Sequence, residues 1–155
     1  MKEIYENYTS IVIFLHILAA VIWVGGMITI KIAVHPSLQS IDDTKIKLGK
    51  TLQIIGRLFN LVLPFIFISL ICAIIILIGG GFNGGFIHIK EAIWTIMTLN
   101  FFFMYIKRIK ANKFFKEGNF LKAKETLSLL PSVLLPINIF LGLAAIFIGV
   151  LLRGY

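Results

Sequence analysis

Apolar residues fall into four long runs, at 11–34, 54–78, 86–106 and 127–152, separated by short polar stretches. Each run reaches the roughly 20 residues that an α-helix needs to cross a bilayer core. The few charges inside the runs sit near their ends: Lys31, Arg57, and the pair Lys90 and Glu91. Long side chains at such positions can reach the headgroups. The pattern predicts an all-α integral membrane protein, an antiparallel four-helix transmembrane bundle forming a single domain over residues 1–155. The first run is too long for a signal-peptide core and no small-x-small cleavage site follows it, so it is expected to remain as a helix.

The connections carry their own signals. Between Gly79 and Gly85 lie five further residues, four of them glycine or asparagine; the stretch reads as a flexible turn rather than a phosphate loop, which would end in Gly-Lys-Ser/Thr. The stretches 41–56 and 111–126 mix charges with helical spacing and read as extensions of the membrane helices. Pro64 and Pro136 lie inside the second and fourth runs, where each removes a backbone donor and predicts a kink.

Composition agrees with the pattern. Only 14% of residues are charged and 59% are hydrophobic, against about 25% charged in soluble domains, so a bilayer is the expected solvent. The net charge of +8 is explained by topology rather than by nucleic acid. Lys31, Lys45, Lys47, Lys50 and Arg57 flank the first connection. Lys107, Arg108, Lys110, Lys113, Lys116, Lys122 and Lys124 occupy the third. The opposite side holds only Lys2, Lys90 and Arg153. The positive-inside tendency places the basic connections in the cytoplasm and both termini outside. The lone Cys72 lies in an apolar run and cannot form an internal disulfide.

Candidate chemistry is confined to a few groups, because ionisable residues in a membrane need a reason. His16 shares a helical face with Ala19, Ala20, Trp23 and Met27, and the two alanines leave room beside its imidazole. His88 opens the third run on the same side of the membrane, whereas His35 lies at the inner end of the first. Imidazole is a common axial ligand, and a four-helix bundle can hold haem between its helices. His16 and His88 are therefore the candidate axial ligands of a b-type haem, with Lys90 and Arg153 as partners for its propionates. Copper is the alternative, using His16 and His88 with the thioethers of Met27 and Met97. A third alternative is a non-catalytic membrane subunit. Asn60, Asn100 and Asn138 are expected to hydrogen-bond between helices, and Ala145 with Gly149 to allow close approach. No paired carboxylates and no Ser-His-acid set are present, which excludes those hydrolytic mechanisms.

The stretch from Leu15 to Met27, Leu-His-Ile-Leu-Ala-Ala-Val-Ile-Trp-Val-Gly-Gly-Met, resembles the first membrane helix of copper-resistance-D (CopD) proteins. Pro36 after that helix, Arg57-Leu58-Phe59 and Ile89-Lys90 extend the resemblance to three of the four runs. His16 and His88-Ile89-Lys90 are also distantly similar to HemJ-type protoporphyrinogen oxidases. These resemblances imply a multi-pass protein of the bacterial inner membrane. They imply either copper uptake or a haem-dependent oxidoreductase that serves electron transfer or porphyrin oxidation. The expected partners are the lipid bilayer and a redox partner or second copy of the chain.

Overall fold

The computed structural model describes residues 2–80 and 85–152; Arg153 and residues 81–84 of the glycine-rich turn lie outside the described residues. Among the described residues the chain is helical apart from short connections and a kink at Tyr8, with no strand. Four long helices account for it: α1 over 2–39, α2 at Thr44–Gly80, α3 at Gly85–Lys116 and α4 at Phe120–Leu151. All four run beyond the apolar segments that announce them. The mixed-charge stretches continue α2 and α3 and begin α4 as regular helix.

The helix ends are set by local chemistry. Asp43 caps α2, its Oδ1 accepting the Ile46 backbone N–H at 2.9 Å. At the end of α3, Gly118 takes a left-handed φ of +79°. The Asn119 N–H then donates to the Phe114 carbonyl at 2.9 Å and the Gly118 N–H to that of Phe115 at 3.1 Å. These paired bonds form a glycine stop of the Schellman type. Asn119 restarts the chain by accepting the Lys122 N–H at 3.2 Å, so three residues separate the two helices.

Two helices widen into π turns. In α1 these lie at Val21–Gly25 and Ile30–Val34, the second just before Pro36; in α4 one lies at Leu130–Leu134, just before Pro136. The missing proline N–H explains the placement of the latter two. In α4 the Leu135 N–H donates to Leu130, and Pro136 has no N–H to give. The Pro131 carbonyl is thus left without its next donors along the helix, and Lys31 Nζ donates to it at 2.6 Å. Pro64, by contrast, sits within an uninterrupted α2.

Contacts between helices fix their order. Going along α1 and α2, Lys47 meets Gln39, Leu58 meets Gly26 and Ser69 meets His16. Between α2 and α3, Leu52 meets Arg108 and Asn60 meets Tyr105. Between α3 and α4, Asn100 meets Leu134, Met97 meets Asn138 and Lys90 meets Gly149. Finally α4 meets α1 where Pro131 faces Lys31 and Gly142 faces Val24. In every pair one number rises as the other falls.

The core is a column of side chains from all four helices, centred on Trp23, Met27, Phe59, Phe101, Met104 and Leu135. Trp23 and Phe59 both pack against Phe101, with ring centroids 6.1 and 5.1 Å away. The outer surface is apolar as well: Phe140 is 73% exposed, Leu99 65% and Phe14 60%. Among the described residues, Glu6–Gln39, Thr44–Gly80 and Phe120–Leu151 are long and apolar enough to cross a membrane. α3 is not among them. That helix is long enough, but Lys90, Glu91, Thr95, Thr98 and Asn100 dilute its apolar content.

Candidate functional site

The half-buried His16 in α1 points to α2, where its Nδ1 lies 3.2 Å from the Ser69 carbonyl oxygen. A carbonyl only accepts, so Nδ1 carries the proton and Nε2 keeps its lone pair. This is the arrangement in which histidines ligate metals, one ring nitrogen anchored to the backbone and the other free.

Lys90 comes to the same level from α3. Its ammonium lies over Gly149 of α4, 3.0 Å from where a Cβ would stand. Any side chain at 149 would press on it, which gives that glycine a reason. Gly149 therefore lies on the α3–α4 seam. Lys90 is within electrostatic reach of His16. Among the described residues no carboxylate and no hydrogen-bond acceptor contacts the Lys90 ammonium. A cation in an apolar run with no partner is costly and marks a place for a counter-charge.

His88 is placed differently. Its side chain is 82% exposed and its Nδ1 lies 3.2 Å from Glu91 Oε2, itself on an exposed carboxylate. Successive helical residues turn by 100°, so two residues apart means nearly opposite faces. Lys90 faces α4, and His88 faces away from the bundle. Lys90 is thus near enough to act electrostatically on His16, whereas the His88 side chain is exposed. Arg153 lies outside the described residues.

The thioethers belong to a deeper layer. Met27 is fully buried and Met97 is 3% exposed, both within the packed core. Met27 is eleven residues beyond His16 along α1, about 16 Å by helical rise, so the two cannot share one ion. Cys72 is buried and unpaired on α2. His35 lies near the C-terminal end of α1, its Nε2 3.4 Å from Gln39 Nε2. Among the described residues no three His, Cys, Asp or Glu side chains gather as a metal-ion cluster.

Sequence reasoning passed over Trp94 and Thr98. Trp94 Nε1, Thr98 Oγ1 and Trp23 Nε1 are buried without a hydrogen-bond partner. Lys90, Trp94 and Thr98 are spaced i, i+4, i+8, so α3 presents one stripe of three polar heads without acceptors. That spacing, unusual in an apolar run, was the available signal. The amides in the middle of the helices, in contrast, are satisfied. Asn100 Nδ2 donates to the Leu134 carbonyl and to Asn138 Oδ1, and Asn138 Nδ2 donates to the Met97 carbonyl.

A b-type haem asks for an imidazole nitrogen on iron and for cations or donors at its propionate carboxylates. The free Nε2 of His16 and the unpartnered ammonium of Lys90 match that pair of demands. The described residues supply one imidazole, not two. A bare copper ion fits less well, since an ammonium beside the imidazole repels it and the methionines lie elsewhere. Comparison of the chain with protein-family models, curated proteins and solved structures gives no match.

Proposed function

We propose that the chain is a four-helix protein of the bacterial inner membrane that holds b-type haem in the outer half of an antiparallel transmembrane bundle. The opposed order of the interhelical contacts supports antiparallel packing. The exposed apolar faces support lipid as the solvent, since soluble monomers rarely display such continuous apolar surface. α3 is the fourth crossing: it matches its neighbours in length, and its outward residues Ile96, Leu99, Phe103 and Ile106 are exposed and apolar. The basic connections at 40–50 and 107–124 face the cytoplasm.

The observation that carries the haem reading is the pairing of a free His16 Nε2 with an unpartnered Lys90 at one level of the bundle. His16 would supply a nitrogen to the haem iron, its Nδ1–H bond to Ser69 holding the ring in place and strengthening Nε2 as a ligand. Lys90, beside Gly149, would offset the charge of a propionate. Haem supplies one-electron chemistry when bound, suited to electron transfer or porphyrin oxidation with a redox partner. This is the activity that the resemblance of His16 and His88-Ile89-Lys90 to HemJ-type oxidases implies. Copper translocation of the CopD kind, and a non-catalytic subunit role, are the competing readings, and nothing in the placement of Met27 and Met97 favours the former.

The test is a visible spectrum of protein purified in mild detergent after expression with ample haem, oxidised and then dithionite-reduced. The expected result is a Soret band that shifts on reduction. A colourless protein that takes up Cu(I) through His16 would overturn the haem reading in favour of copper.

A further inference from the structure

A cavity of about 260 Å³ opens where the inner ends of α1, α2 and α4 meet, far from His16. Its lining is graded in the same sense on all three helices. On α1 the deeper residues are Ile30 and Val34, followed toward the inner end by His35 and Gln39. On α2, Ile55 gives way to Thr51 and Lys47. On α4, Leu135 gives way to Ser128 and Lys124. The cavity is therefore apolar toward the membrane and cationic toward the basic side.

No carboxylate lines it. The nearest acids in sequence are Asp42, Asp43 and Glu125, all exposed, and Asp43 is engaged in capping α2. Lys47 Nζ rests 3.3 Å from the Gln39 carbonyl, a contact weak enough to trade. Lys124 contacts no acceptor among the described residues. Two ammonium groups thus stand at the mouth of an apolar recess with nothing of opposite charge to meet them.

We propose that this cavity binds an anionic phospholipid. The phosphate sits between Lys47 and Lys124 with His35 beside it, and an acyl chain lies against Val34, Ile55 and Leu135. Basic pockets between membrane helices on the cytoplasmic side recognise such headgroups. The site rests on the membrane reading of the chain and is independent of haem.

The experiment is native mass spectrometry and thermal-shift titration of the detergent-purified full chain with phosphatidylglycerol, phosphatidylcholine or inorganic phosphate. The expected result is retained phosphatidylglycerol and a preference for it over phosphatidylcholine. The double variant Lys47→Gln/Lys124→Gln should lose about tenfold to thirtyfold in affinity, at about one factor of five per basic residue near a headgroup. Val34→Phe keeps both charges, fills the apolar end and should also weaken binding. The variant Lys110→Gln/Lys116→Gln removes equal charge from α3, outside the cavity, and should change little. Equal binding of the two lipids, or equal loss in the α3 variant, overturns the site in favour of general attraction. Protection by inorganic phosphate that equals that of phosphatidylglycerol overturns the lipid assignment in favour of a free anion. Undiminished binding by Val34→Phe overturns the placement of the chain.

Discussion

The two halves of the bundle each carry cations among apolar side chains, and they treat them in opposite ways. In the half that carries the basic connections the fold itself supplies partners for Arg108 and Lys31. The Arg108 guanidinium lies across Gly56, whose missing side chain makes the room, and donates from Nε and Nη2 to the Leu52 carbonyl at 3.3 and 3.2 Å. Lys31 takes the Pro131 carbonyl that a π turn and a proline leave open. In the outer half Lys90 reaches a glycine and finds no acceptor, while His16 anchors one nitrogen and leaves the other free. A satisfied buried cation is part of the scaffold; an unsatisfied one points to something the chain does not itself contain.

The sharpest break of that contrast is His16→Ala. It should abolish haem binding, read as loss of the Soret band, with helix content by circular dichroism unchanged. On the inner side, Gly56→Val should dislodge Arg108, since even a Cβ there would overlap the guanidinium. Losing hydrogen bonds to a charged group should lower stability by about 1.5–3 kcal/mol, measured by denaturant titration in detergent. Haem affinity per folded molecule should stay as it was. Lys90→Gln should weaken haem retention by about tenfold while leaving stability intact or raised, because a charge-assisted contact of roughly 1.5 kcal/mol is lost only in the loaded protein. Asn138→Leu leaves Asn100 with one acceptor fewer and should cost about 0.6–1.7 kcal/mol, the range for hydrogen bonds between membrane helices. Its readout is thermal unfolding.

Much of this fold was legible in the sequence, for physical reasons that also set the limit. Apolar runs announce helices because a bilayer demands internal hydrogen bonding. They do not bound them: Asp43 and Asn119 start α2 and α4 well outside the apolar runs, and only their capping chemistry reveals it. Run length made α3 look like its neighbours although its stripe of Lys90, Trp94 and Thr98 is polar. At the candidate site, His16 was legible from its alanine-lined face. The pairing of His16 with His88 was drawn from their shared membrane level, and level says nothing of direction. His88 and Lys90 are two residues apart, so a helix that turns one inward turns the other out. The role of Gly149 as the floor beneath Lys90 depends on the α3–α4 register, which no local pattern encodes.

The most direct measurement is a haem titration of three apo-proteins side by side, the natural chain, His16→Ala and His88→Ala, followed by absorbance in the Soret region. The account predicts that His88→Ala binds haem as the natural chain does, because His88 faces Glu91 and the surroundings, while His16→Ala does not bind. Retention of haem by His16→Ala, or its loss from His88→Ala alone, would contradict the assignment of the outer half as a site built on His16 and Lys90.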